Sequence, residues 1–333
     1  MDCKKSNRRS ALKQLLAILI CAMSALSCTW VQDDTDDCPY GFWLKLHYSY
    51  NILDVDAANK FVKDAYIYIY DADSNFVKRI YATQDELRAN NYRVRVEDIP
   101  EGDYQFVVWS GIGSSHYAVT GDTQDINDFR LSLKNNDESV GYMLTDLYHG
   151  MLEDIHYDNG YAQYDVELTK NTNQLACIVV SVTEENVLSP EEYTMRIVSA
   201  NSSMDAYNNI VTDVETTYNP FVQESITIND ADYGELYGLQ YDISTLRLME
   251  DRDSRIVFEK KSTGETLFNV SFPEYVGMIG SLYTNLGRSL SVQEYLDRQD
   301  FYTIVFYLSA DLDQLIQLRV NSWRLRAINH LKL

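Results

Sequence analysis

The sequence predicts an all-β protein: two tandem β-sandwich domains of immunoglobulin-like or transthyretin-like architecture, with a few short helices. Three observations carry that expectation. Short stretches alternate apolar and polar residues with a period of two, the mark of half-buried strands, and polar turns separate them. Twenty-six tyrosines stand against five prolines, and tyrosine suits strands in which the ring packs while the hydroxyl reaches water or a partner. Helical periodicity is confined to brief segments, too short to build a layer of their own.

Before the first strand lies a segment of another kind. Lys4, Lys5, Arg8, Arg9 and Lys13 precede an apolar run from Leu15 to Leu26. The run falls short of the roughly 18 apolar residues that a spanning helix needs and suits the core of a secretory signal. Ser27 directly precedes Cys28, as at a lipoprotein cleavage site, where the new amino-terminal cysteine takes a diacylglycerol and an amide-linked fatty acid such as palmitate. Two or three acyl chains hold a protein stably on a membrane, whereas one does so only marginally. Ala25 stands where the lipobox prefers Leu, and Leu26 follows one step late; ordinary secretory cleavage, with Cys28 left as a plain thiol, is the alternative. Residues 1–27 are therefore expected to be a signal peptide. Residues 28–38, with Asp33, Asp34, Asp36 and Asp37, read as an acidic, aperiodic tether.

Loss of residues 1–27 removes five basic residues and one acidic residue, so the formal net charge moves from −22 to −26. A chain this acidic is not expected to bind nucleic acid or an anionic lipid surface, both of which call for clustered Lys and Arg. About 300 residues remain, enough for two domains with sizeable cores. With Cys28 acylated, Cys38 and Cys177 are the one pair able to form a disulfide in an oxidising compartment. Two separate free thiols are the expectation and the disulfide the alternative, since Cys177 lies inside the buried-strand pattern Leu175–Val180.

The first sandwich is expected over residues 39–170 and the second over 171–333, with the boundary in the polar break Lys170-Asn171-Thr172-Asn173. Phe42 to Tyr50 alternates as the first strand, and Asp56 to Lys63 has room for one helical turn. Ala65–Tyr70 and Phe76–Tyr81 flank the turn Asp71–Asn75 as a β-hairpin. Thr83-Gln84-Asp85-Glu86 has capping-box spacing and starts a short helix. Tyr92, Val94 and Val96 mark a strand, and Tyr104–Trp109 is almost wholly apolar, hence central in its sheet. Gly111, Gly113 and Gly121 mark a looser segment up to Phe129–Leu133, Tyr142–His149 is apolar and aromatic, and Tyr161–Thr169 alternates again as a strand. In the second half strands follow at Leu175–Val182, Tyr193–Val198, Ile226–Ile228, Ser244–Met249, Ile256–Lys260, Thr266–Phe272, Phe301–Leu308 and Leu315–Val320. One helix stands out there, Ser291–Arg298, with a second capping box and a stripe of Val292, Tyr295 and Leu296.

Sites with recognisable chemistry are few. Asp71-x-Asp73-x-Asn75 opens like a calcium loop, but Phe76 replaces the required glycine and Ala82 the bidentate Glu, so a hairpin turn is expected. His149, Glu153, Asp154 and His156 are the densest set of metal-ligand types, yet only His149 and Glu153 would share a helical face. They read as solvated structural groups, with no metal. The chain has no GxSxG, HExxH, GxxxxGK[ST] or paired-cysteine zinc pattern. It is read as no enzyme, with no cofactor beyond the covalent lipid on Cys28. Arg319, Arg324, Arg326 and Lys332 form a small positive group near the end, expected on an exposed strand face or as a dock for an acidic partner subunit.

Several stretches, in the same order over essentially the whole mature chain, resemble one family. They are Cys28; Asp36-Asp37-Cys38-Pro39-Tyr40-Gly41; the strand into Asp71 with Asn75-Phe76-Val77; and Gly102 to Trp109. They continue with Asp146-Leu147-Tyr148-His149-Gly150, Leu168 to Asn173, Glu294 to Asp300 and Val320-Asn321-Ser322-Trp323. Together these are similar to the FimB-type fimbrillin-associated anchor proteins, minor-component lipoproteins of Bacteroidales-type fimbriae. The family usually has Gly after the hairpin aspartate where this chain has Asn75, a residue that also tolerates positive φ. The resemblance implies outer-membrane attachment through Cys28, a fimbrillin-type shaft subunit as partner, docking by strand complementation and a limit on fimbrial length. Family lipoproteins sent to the cell surface tend to carry acidic residues soon after the cysteine, and here Asp33 and Asp34 come five places on. The contrasting expectation is a glycan-binding or adhesive surface lipoprotein, since exposed tyrosine rings can stack on sugars.

Overall fold

The computed structural model describes residues 41–134, 139–183, 188–280, 287–321 and 323–326. The first half holds β1 (Phe42–His47), helix α1 (Ala58–Phe61), β2 (Ala65–Asp71), β3 (Phe76–Ala82), helix α2 (Gln84–Ala89) and β4 (Arg93–Val96). It continues with β5 (Gly102–Ser110), β6 (Tyr117–Val119), β7 (Arg130–Leu133), β8 (Ser139–Val140), β9 (Tyr148–Tyr157), β10 (Gln163–Glu167) and β11 (Thr169–Lys170). The second half holds β12 (Thr172–Ser181), β13 (Tyr193–Ser199), β14 (Ser203–Asp205), β15 (Thr216–Tyr218), β16 (Val222–Asp230) and β17 (Gly234–Leu246). After them come β18 (Arg255–Lys260), β19 (Glu265–Ser271), helices α3 (Phe272–Gly280) and α4 (Val292–Arg298), β20 (Phe301–Leu308), β21 (Leu315–Val320) and β22 (Trp323–Arg326). The protein is all-β with short helices, as its patterning predicts.

Sheet β11-β9-β5-β2-β3 lies between two others. One face presents Ile67, Ile69, Phe106 and Val108 to Phe42, Leu44 and Leu46 of the sheet β10-β1-β4. The other presents Tyr68, Tyr70, Val107 and Trp109 to a second core that includes Phe129 and Leu131, next to the sheet β14-β7-β6. A strand buried on both faces has no polar row, which is why Tyr104–Trp109 reads as apolar apart from Gln105. In the second half, β16-β17-β12-β20-β21-β22 packs on β19-β18-β13-β15-β8. Leu175, Cys177, Tyr241 and Phe306 meet Met195, Ile197 and Phe258 between them. The halves also lend each other a strand: β14 pairs with β7, and β8 with β15.

Turn and cap chemistry explains the local geometry. Asp71 Oδ1 accepts from the backbone N–H of Asp73 at 3.0 Å and of Asn75 at 2.8 Å, so the carboxylate is consumed in closing the hairpin. The residue in the left-handed region is Ser74, with φ +70°, rather than Asn75. Thr83 and Glu86 form the full reciprocal capping box of α2. Ser291 caps α4 through the Glu294 N–H, but the Glu294 carboxylate is held by Arg288 and Arg298 instead. Of the segment expected as Ser244–Met249, Ser244–Leu246 is the end of the thirteen-residue β17, which starts at Gly234 (φ +77°), where a turn needs a residue without a Cβ. Helix α3 was hidden by Pro273 and Gly277, though Phe272, Tyr275, Val276 and Ile279 form its buried stripe.

Gly150 marks a close approach in β9: a Cβ there would lie 2.6 Å from Val166 Cγ1 and 2.8 Å from Leu168 Cδ2. Gly150→Ala is expected to cost about 1–3 kcal/mol through overpacking, read as a lower urea midpoint with an unchanged m-value.

Candidate functional site

Cys28 and Cys38 lie outside the described residues, and so does Lys332. Cys177 is fully buried on the core face of β12. Burial, reinforced by Asp242, pushes its thiol well above the ordinary range, which leaves it a small apolar side chain rather than a nucleophile.

His149, Glu153 and His156 lie on strand β9, so the helical face expected for His149 and Glu153 does not exist. Nor is His149 solvated. Its ring is buried against Trp109, centroids 4.6 Å apart, and Nε2 lies 2.8 Å from the Ala206 carbonyl oxygen. His156 is exposed and pairs with Asp103 at 2.7 Å, which raises its pKa. Among the described residues no group of three or more His, Cys, Asp or Glu side chains could hold a metal ion. No helix among them is long and apolar enough to cross a membrane.

What the chain does assemble is a buried polar seam, and the segments that carry the family resemblance supply most of it. Lys170, its side chain 8% exposed, places Nζ 2.7 Å from Asp300 and 3.0 Å from Asp146. Burial alone would lower the pKa of this lysine; the two carboxylates more than reverse that and hold it charged. The amides of Asn171 and Asn208 exchange hydrogen bonds of 2.7 and 3.1 Å. Asn173 donates to the Leu246 carbonyl, and Asn171 N–H to that of Leu147. Arg247 grips Asp297 through two hydrogen bonds of 2.8 Å. Arg298 reaches back to the Asn51 carbonyl and Asp54, both at 3.1 Å, and stacks over the Tyr50 ring at 4.3 Å.

The polar break Lys170–Asn173 is thus buried, its polar side chains and backbone held by tertiary partners. Arg247 and Asn208 gave no signal in the sequence, because nothing local marks a residue whose partner stands 50 or 37 positions away. Such a network fixes the geometry of the segments it joins. The positive group near the end is also partly consumed: Arg319 lies 3.4 Å from Asp230, whose side chain is fully buried.

The family profile described as fimbrillin-A associated anchor proteins Mfa1 and Mfa2 matches residues 35–329. No curated protein matches. Among solved structures, a protein of Bacteroides thetaiotaomicron provisionally described as polysaccharide-binding is 26% identical. The match covers 87% of this chain and 99% of that one, with a TM-score of 0.75. An adhesin of the same organism, likewise provisional, is 25% identical, with coverages of 88% and 99% and a TM-score of 0.77. The fimbrial anchor protein Mfa2 of Porphyromonas gingivalis shares the fold at 16% identity and a TM-score of 0.66, over 87% of this chain and all of that one. With nearly the whole length after residue 34 matched in sequence, the chain belongs to the fimbrillin-A associated anchor protein family.

Proposed function

We propose that this protein is an outer-membrane lipoprotein that holds the base of a fimbria at the cell surface and limits its length. It acts without catalysis, through a lipid on Cys28 and a fimbrillin-type shaft subunit docked by strand complementation. The observation that carries this reading is the order of parts: a lipobox-like cysteine, an acidic tether and then the family match from residue 35 to 329. In this reading the tether lets the folded unit stand off the membrane, and the buried seam keeps residues on both sides of position 170 in one fixed arrangement while the fimbria pulls. Cys28→Ala is expected to move the protein from the membrane fraction to the medium and to shed fimbriae with it. Unchanged membrane retention would remove the lipid from the account. A second reading, a glycan-binding surface adhesin, draws on the provisional polysaccharide-binding description of the relative at 26% identity. Specific binding on a glycan array, with no fimbrial subunit co-purifying, would favour it.

A further inference from the structure

We propose that the outer edge of β16 is where the partner's strand is added; this rests on the anchor reading above. An edge strand exposes unpaired N–H and C=O groups, and proteins usually blunt such edges with charge, bulges or brevity. The other edges among the described residues carry these devices. Strands β8 and β11 have two residues, β6 and β14 three, β4 and β22 four. Strand β4 presents Arg93 and Arg95. Asp165 and Glu167 lie on β10, Lys78 and Arg79 on β3. The pairings of β3 and β19 are interrupted by bulges.

β16 has neither the brevity, the bulges nor the basic residues; its charges are one exposed carboxylate, Glu224, and the buried Asp230 at its end. Its nine residues pair with β17 over nine consecutive positions without a register shift, and no Pro, Lys or Arg occurs in Val222–Asp230. Glu224, Ser225, Thr227 and Asn229 are exposed. Ile226 and Ile228 sit half-buried beside Val180, Leu236, Val305 and Tyr307 on the face of the sheet that turns away from the main core. An incoming strand there would find main-chain partners on its inner side and an apolar strip for alternate side chains. Only an extended polypeptide satisfies such a row, which separates this edge from a sugar site. Charge selects the partner further. Two copies of the chain, each of net charge −26 once residues 1–27 are lost, repel each other, so the occupant is an apolar, uncharged or basic strand of a different protein, a fimbrial subunit.

The test uses the full chain in its own cells. Thr227→Pro blocks the edge, with Thr227→Val as the control that keeps β propensity. Ser225→Lys/Thr227→Lys serves if the proline variant does not fold. Retained fimbriae are expected to fall at least about tenfold in the blocking variants and to stay normal with Thr227→Val, while each protein remains membrane-bound. A photo-crosslinker at Thr227 is expected to capture one extended segment of a fimbrial subunit. If Cys28→Ala sheds fimbriae while both edge variants keep them, the edge assignment is wrong and the anchor reading stands. If Cys28→Ala sheds nothing, the anchor reading falls and this inference with it. Capture of a second copy of this chain would also overturn it.

Discussion

Lys170→Met is expected to lower the unfolding free energy by about 3 kcal/mol, the lower end of the range for removing one partner of a buried charge cluster. The lysine side chain is 8% exposed and sits between Asp146 and Asp300 at 3.0 and 2.7 Å. Without it, two carboxylates face each other across an apolar side chain. They are 37% and 33% exposed, so water relieves part of the cost, which is why the expectation stays at the lower end. Tyr48 and Tyr148 adjoin the cluster, and their hydroxyls are already raised by burial and by both carboxylates.

Chemical denaturation of Lys170→Met beside Lys170→Met/Asp146→Asn/Asp300→Asn separates charge from packing. The triple variant should recover much of the loss, because it leaves no uncompensated carboxylate. A single variant within about 0.5 kcal/mol of the parent, typical of surface changes, would mean the cluster is hydrated and idle. The consequence for function is rigidity. Asp146, Lys170 and Asp300 lie on the approaches to β9, β12 and β20, so losing the cluster loosens the join between the sheets of the two halves.

How much of this was legible in the sequence depended on whether a signal was local. The hairpin at Asp71, the capping box at Thr83 and the period of β1 and β12 are set by neighbours in the chain, and each was readable. Burial on two faces at Tyr104–Trp109 was readable too, as a run broken only by Gln105. The strand exchange of β8 and β14 was not, because strands of two and three residues hold too few positions for a period to show. The buried partners of the seam were not legible for a different reason. Lys170-Asn171-Thr172-Asn173 has the composition of a solvated linker, and only tertiary partners at Asp146, Asn208, Leu246 and Asp300 make it an interior. His149 failed in the same way: a histidine among acidic residues looks solvated until Trp109 and Ala206 close over it. Positions that resemblance singled out without chemistry, such as Asp300 and Arg298, acquire it once they are seen to converge.

The same histidine yields the second large effect. Burial, partly offset by the Ala206 carbonyl, holds the His149 pKa at about 4 against 6.5 unfolded, with Arg247 pushing it down and Asp205 up. A base whose folded pKa is depressed stays neutral in the native state while the unfolded chain takes up a proton. Stability is therefore unaffected above about pH 6.5, is lost as the pH falls toward 4, and loses nothing more below that. A separation of this size corresponds to about 3 kcal/mol. His116, also lowered by burial, contributes with the same sign. His156, raised by Asp103, contributes with the opposite sign. Carboxylates such as Glu259, held low by Arg196, lose stability further down the scale, so the raw acid transition cannot be assigned to one group. His149→Gln isolates it: the variant is neutral throughout, and its amide can still donate to the Ala206 carbonyl. The stability difference between parent and variant should therefore shift by about 3 kcal/mol in the variant's favour between pH 7 and 4. A difference that stays constant over that range would place the His149 proton equilibrium outside the folding reaction.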